Sequence, residues 1–287
     1  MERRFRGKNN KPVKVLIVDD SPLVRNILTL GLGIDEEIKV LGAAPDPYVA
    51  RDMIIELNPD VLTLDVEMPK MNGVEFLKRL MPQYPIAVVM VSALTLSGKK
   101  ITIEALEAGA VDFVSKPSAN LSHGLNSMLF ELREKIKTAS KANLSKFPEK
   151  SFETSSSQRK EQGQIYRGSR KVIAVGASTG GTQAIKCLLS KLPENAPGMV
   201  IVQHMPAGFT KIFSDRLNEQ CRVRVKEAEN GDLIRQGTVL IAPGGFHLSV
   251  AKSADGFLVR CQKGEPVNGH CPSVDVLMHS VAKNIGA

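Results

Sequence analysis

Residues 171–193 read KVIAVGASTGGTQAIKCLLSKLP. A short apolar run ends in small residues and passes into a helix-forming stretch, the pattern of a buried parallel strand, a tight turn and a crossover helix. Within the turn, Gly176-Ala177-Ser178-Thr179-Gly180 has the spacing G-x-S-x-G, the nucleophile elbow. Small residues on both sides let the backbone bend sharply and lift the Ser178 hydroxyl above the sheet, and the helix start behind it offers free N–H groups to a developing oxyanion. A dinucleotide fingerprint would need glycine where Ser178 stands, and a Walker loop would need lysine where Thr182 stands. A plain glycine turn stays open on the pentapeptide alone.

The same texture extends in both directions. MVIVQHMP (199–206), TVLIAPGG (238–245) and FLVRC (257–261) follow the elbow. VKVLIVDD (13–20), EIKVLGAA (37–44), DVLTLDVEMP (60–69), IAVVMVSA (86–93) and DFVSKP (112–117) precede it. Apolar runs of this length with helical segments between them predict two α/β domains, each a doubly wound parallel sheet. Between the two sets, residues 137–170 are rich in Ser, Lys, Glu and Gln and show no sustained period, the composition of a flexible linker. The expected division is a basic tail at 1–12, a first domain at 13–131, a linker at 132–170 and a second domain at 171–287.

Two hundred and eighty-seven residues suit two domains. The net charge of +8 is unevenly spread: residues 15–131 carry nine basic against sixteen acidic side chains, and residues 132–171 eleven against four. The basic excess therefore belongs to the tail and linker, and no helix-turn-helix or aromatic platform accompanies it, which argues against nucleic acid as a partner. No apolar stretch is long enough to span a membrane, and the basic start lacks the apolar core of a secretory signal. Four cysteines without metal-ligand spacing suit a reducing compartment, so a cytoplasmic protein is expected.

In the first domain, Asp19 and Asp20 end the first apolar run, Asp65 the third and Ser92 the fourth, and Lys116-Pro117 follow the fifth. Ser21-Pro22 reads as the N-cap and first residue of the next helix. A doubly wound sheet gathers all of these at its carboxyl edge. Three carboxylates there repel one another unless a divalent cation with oxygen ligands and a lysine compensate them, and Mg²⁺ suits such a set. This combination resembles the receiver domain of two-component response regulators. The resemblance implies that Asp65 accepts a phosphoryl group from a histidine kinase. It implies too that Asp20, Asp65, Asp19 through water and the Glu67 carbonyl hold Mg²⁺, that Ser92 and Lys116 contact the phosphoryl oxygens, and that Phe113 is the aromatic switch.

In the second domain, His204 ends the strand after the elbow. Consecutive parallel strands are usually neighbours, so His204 is placed to take the Ser178 proton and return it to a leaving alkoxide. His247 in IAPGGFH and His270 in NGHCP read as cleft or structural residues, and His279 as a helix-face residue. GASTGG, VQHMP, APGG-x-H and PSVDVL, behind a receiver and a linker, resemble the chemotaxis protein-glutamate methylesterase (CheB) family. That resemblance implies hydrolysis of methyl esters on the glutamates of chemoreceptor helices, deamidation of receptor glutamines, and no cofactor for the ester chemistry. Ser178 carries over as nucleophile, His204 as general base and acid, and Thr179 as a contributor near the oxyanion. The family's catalytic Asp lies in a glycine-rich segment past PSVDVL that the sequence up to Ala287 does not contain, so a C-terminally shortened catalytic domain is expected. Asp275 fits a helix start near Ser273 better than a triad. Cys271 stands where related sequences usually carry Arg. The alternative is a phosphorylation-switched module that binds receptors or drains phosphoryl groups without turnover.

Overall fold

A computed structural model describes residues 11–93, 95–117, 121–144 and 171–286. The chain forms two compact units, residues 1–149 and 150–287.

The first unit alternates strands and helices: β1 (Val13–Val18), α1 (Pro22–Gly33), β2 (Ile38–Ala44), α2 (Pro47–Leu57), β3 (Val61–Asp65), α3 (Gly73–Leu80), β4 (Ala87–Ser92), α4 (Leu96–Glu107), β5 (Asp112–Ser115) and α5 (Leu121–Ala139). All five strands pair in parallel, in the order β2-β1-β3-β4-β5. The order reverses between β1 and β3, and a doubly wound sheet opens its crevice at that point. Ser21 caps α1, its hydroxyl accepting from Val24 N, with Pro22 beginning the helix. Both faces of the sheet are covered, so Val15, Ile17, Val89 and Val91 are buried on one side and Leu16, Leu62, Leu64 and Met90 on the other.

The expected end of this domain at residue 131 is corrected. The helix α5 continues to Ala139, and Leu132, Ile136 and Ala139 are buried in the same cluster as β1 and β4, with Leu144 packed against it. Their spacing of four and three residues is the apolar stripe of a helix. The polar residues between them are paired: Lys135 with Glu131 and Asp112, Lys137 with Glu134 and Asp35. Of the stretch read as linker, residues 132–139 are the last turns of a docked helix. Residues 145–170 and the tail at 1–10 lie outside the described residues.

The second unit holds β6 (Val172–Ala177), α6 (Gly181–Ser190), β7 (Gly198–Gln203), α7 (Phe209–Gln220), β8 (Arg224–Glu227), β9 (Thr238–Ile241), β10 (His247–Ser253), β11 (Gly256–Gln262) and α8 (Val274–Asn284). Its parallel sheet runs β6-β7-β9-β8. The stretch FLVRC, read as another parallel strand, belongs instead to an antiparallel hairpin of β10 and β11. That hairpin and α8 supply Leu248, Val250, Val259 and Leu277 to a core shared with Val200, Val202 and Leu240 of the sheet. The helix is fastened to the hairpin by Val250 N donating to Ser280 Oγ (2.9 Å) and Asn284 Nδ2 to the Val250 carbonyl (2.9 Å). β6 is an edge strand, and none of its residues is fully buried. All four cysteines are free, and no described helix is long and apolar enough to cross a membrane.

Candidate functional site

At the carboxyl edge of the first sheet, one carboxylate oxygen each from Asp19, Asp20 and Asp65 lie within 4.8 Å of one another. Asp19 and Asp65 are buried and Asp20 is exposed. Lys116 closes the cluster, its Nζ 2.9 Å from Asp19 Oδ2 and 2.8 Å from Asp65 Oδ2. Burial, with the Asp19 charge adding to it, pushes the Asp65 carboxyl up to about 6 although Lys116 opposes the shift. Burial works against the Lys116 charge too, but there the two carboxylates prevail and its pKa is raised.

Local structure fixes these groups. Lys116 N donates to the Ser92 carbonyl (2.7 Å), which ties the end of β5 to the end of β4. Ser21 N donates to Asp19 Oδ1 (2.9 Å), Val66 N donates to Asp65 Oδ1 (2.7 Å), and Gly73 N reaches the Val66 carbonyl (2.9 Å). A Cβ on Gly73 would stand 2.1 Å from the Asp65 carbonyl oxygen, so only glycine lets α3 begin this close to the strand end. Arg25, which the sequence did not single out, donates through Nη1 to the carbonyls of Asp19 (2.7 Å) and Asp20 (2.9 Å). Its position one turn into α1 was the only signal.

Three other expected residues lie in the same unit. Ser92 is buried, and its hydroxyl accepts from Thr102 Oγ1 (2.6 Å), a residue of α4 that sequence reasoning missed. Thr102 Oγ1 also lies 2.7 Å from the Gly98 carbonyl, its single hydrogen shared between the two acceptors, so Ser92 is held by the first turns of α4. Phe113 is buried, with Lys135 Nζ 5.3 Å from its ring centroid and bonded to its carbonyl (2.6 Å). Glu67 is exposed two residues beyond Asp65.

In the second unit, Ala177 pairs with Gln203 at the ends of β6 and β7, which puts the next residues, Ser178 and His204, side by side. Ser178 Oγ and His204 Nδ1 are 3.2 Å apart. Gln203 braces both: its buried Nε2 donates to the carbonyls of Ser178 (3.0 Å) and His204 (3.3 Å). Gly180, at φ 76°, takes the left-handed conformation that starts α6, and Gly181 N returns to the Ser178 carbonyl (2.7 Å). Thr179 lies within this turn. Gly176 is small for another reason, since a Cβ there would meet Val274 Cγ1 of α8 at 2.4 Å. The segment around Gly244 is pressed just as closely on Pro206 and Ala207, with Gly244 N donating to Thr210 Oγ1 (3.0 Å). The separate motifs GASTGG, VQHMP, APGG and PSVDVL are therefore parts of one assembly.

The remaining histidines divide. His247 is buried; it accepts from Ser273 N at Nδ1 (3.2 Å), leaving Nε2 to donate to the Glu265 carbonyl (2.9 Å). It is a brace between β10 and the segment leading into α8. His279 is exposed on α8, 2.8 Å from the Asp275 carbonyl. His270 is brought onto His204, the two rings stacked with centroids 3.8 Å apart and planes 12° from parallel. Asp275 stands in the first turn of α8 behind its N-cap Ser273, with Oδ2 accepting from Asn268 Nδ2 (2.8 Å).

The arrangement presents a hydroxyl and imidazole pair in one unit and a carboxylate cluster closed by lysine in the other. The CheB methylesterase family matches residues 173–287, and the response regulator receiver domain family residues 15–123. The protein-glutamate methylesterase/protein-glutamine glutaminase of Syntrophotalea carbinolica is 56% identical over 277 residues, which cover 96% of this chain and 78% of that one. Its counterpart numbered 2 in Syntrophomonas wolfei is 51% identical with the same coverage. Among solved structures, the response regulator domain of Thermotoga maritima CheB is 44% identical, covers 46% of this chain and 99% of its own, and has a TM-score of 0.43. By its identity to the Syntrophotalea and Syntrophomonas proteins over most of both chains, this chain belongs to the protein-glutamate methylesterase/protein-glutamine glutaminase family.

Proposed function

We propose that the chain is a phosphorylation-controlled ester hydrolase that removes methyl groups from glutamate side chains of chemoreceptor helices and deamidates receptor glutamines. The observation that carries this reading is the 3.2 Å contact between Ser178 Oγ and His204 Nδ1 at the mouth of a strand–turn–helix elbow. A module that only docked on receptors would have no need of it.

In the proposed reaction, Ser178 Oγ attacks the ester carbonyl as His204 Nδ1 takes its proton. The oxyanion lies toward the N–H groups at the start of α6, beside Thr179. As the tetrahedral intermediate collapses, His204 gives the proton to the departing methoxide and methanol leaves. Water, deprotonated by His204, then cleaves the Ser178 ester to release the glutamate carboxylate. A glutamine side chain would follow the same steps with ammonia as leaving group. Gln203, holding the carbonyls on both sides of the reacting pair, keeps serine and imidazole in register.

Control is assigned to the receiver. Asp65 accepts the phosphoryl group from a histidine kinase, and Lys116 meets the added charge. The all-oxygen donor set of Asp19, Asp20 and Asp65 fits Mg²⁺, with the Glu67 carbonyl as a further ligand. When bound, the cation neutralises charge on the phosphoryl oxygens. Ser92 reaches the phosphoryl group by leaving Thr102, and Phe113 responds as the switch. The expected location is the cytoplasm.

Methanol release from methylated chemoreceptor membranes tests the reading. Turnover that disappears in Ser178→Ala and in His204→Gln supports it. Release unaffected by Ser178→Ala would remove the proposed nucleophile.

A further inference from the structure

The stack of His270 on His204 joins segments 66 positions apart, and the chain around His270 is built to hold it. Val267 N donates to the His270 carbonyl (3.1 Å) and His270 N to the Val267 carbonyl (3.2 Å), closing a two-residue turn. Its central residues, Asn268 and Gly269, have φ of 51° and 78°, the paired left-handed conformation for which Asn-Gly is the favoured sequence. The Asn268 side chain anchors this turn to Asp275 in the first turn of α8. On the far side, His247 grips Glu265 and Ser273, the residues that flank the turn. The imidazole of His270 is itself oriented, because its Nδ1 lies 2.8 Å from the Asn268 carbonyl. A carbonyl only accepts, so Nδ1 carries the hydrogen.

We propose that His270 is a positioning residue for the hydrolase, its ring lying flat on His204 to fix the plane of the general base and to support the imidazolium that base becomes. Rings 3.8 Å apart and 12° from parallel leave His204 little freedom to turn about its Cβ–Cγ bond on that side. An aromatic face against a cation is attractive, whereas side-on exposure to water gives no orientation. The effect is greatest once His204 has taken the serine proton, so it acts on the chemical step more than on substrate binding. The inference rests on Ser178 and His204 as nucleophile and base and extends it by one residue.

The test uses the full chain and two readouts. Phenylmethylsulfonyl fluoride forms an Oγ–S bond at Ser178 as the S–F bond breaks, fluoride leaves, and the serine proton passes to His204; this reports the pair without any receptor. Methanol release reports the complete reaction. His270→Ala is expected to slow sulfonylation and to lower kcat about fivefold each with KM unchanged. His270→Phe, which keeps a ring in the stack, is expected to stay within about twofold of the parent. The proposal is overturned if His270→Ala matches the parent, if His270→Phe is as slow as His270→Ala, or if the parent reacts no faster than Ser178→Ala. Ser178-dependent sulfonylation that responds to His270 without methanol release would uphold this inference while refuting the receptor-ester reading.

Discussion

Gly176→Ala puts a single methyl group between the elbow strand and α8. Its Cβ would stand 2.4 Å from Val274 Cγ1 and 2.9 Å from Cγ2, about 1 Å inside ordinary carbon–carbon contact. Nothing in the local backbone forbids alanine, since Gly176 is not among the positive-φ glycines, so the cost is one of packing. Val274 is β-branched and stiff, and α8 cannot slide freely because Ser280 and Asn284 fasten it to β10. Overpacking of this kind costs roughly 1–3 kcal/mol. For a unit of this size that lowers the melting temperature by about 3–9 °C. Differential scanning calorimetry of the full chain reads it, the first unit's transition serving as internal control. Trimming the obstacle in Gly176→Ala/Val274→Ala should recover about 1 kcal/mol or more relative to the sum of the single variants. A melting temperature unchanged in Gly176→Ala, or strictly additive single variants, would refute the claim that this glycine exists to admit α8.

Two further predictions concern the first unit. Ile136, wholly buried in α5, should cost about 2–5 kcal/mol when changed to alanine, whereas a residue in a loose linker would cost almost nothing; urea unfolding separates the two. Asp65 titrates in the folded chain at about 6 against an ordinary 3.8, so between those values the folded state holds the extra proton. Its contribution to stability is therefore fully present below about pH 4 and is lost as pH rises through about 6. Asp65→Asn should then be more stable than the parent at pH 7.5 without Mg²⁺, by an amount that shrinks toward pH 4.5, and a difference flat across that range would contradict the assignment.

Much of this was legible because β1, β3, β4, β5, β6 and β7 are apolar runs followed by polar residues at the carboxyl edge of their own sheet. Strand ends pointed to Asp19, Asp65, Lys116 and His204, and the G-x-S-x-G spacing to Ser178; Lys116 lies against Asp19 and Asp65, and His204 against Ser178. The strands β8 and β10 escaped notice for physical reasons. RVKE, an edge strand, is short and charged, which protects an open edge. HLSVAKS is mostly polar on one face because its hairpin is covered from one side only. The end of α5 was hidden by composition, since its Lys and Glu residues resemble a linker until they are seen paired around Leu132 and Ile136. Thr102, Gln203 and the stacking of His270 depend on tertiary contacts that no spacing in the chain encodes.

The central claim is that phosphorylation at Asp65 controls hydrolysis at Ser178. The measurement that bears on it most directly is methanol release from methylated receptor membranes with and without a small phosphodonor and Mg²⁺, comparing the parent, Asp65→Asn and Ser178→Ala. The account predicts Ser178-dependent release that the donor stimulates in the parent and leaves unstimulated in Asp65→Asn. Equal stimulation of Asp65→Asn and the parent would contradict it.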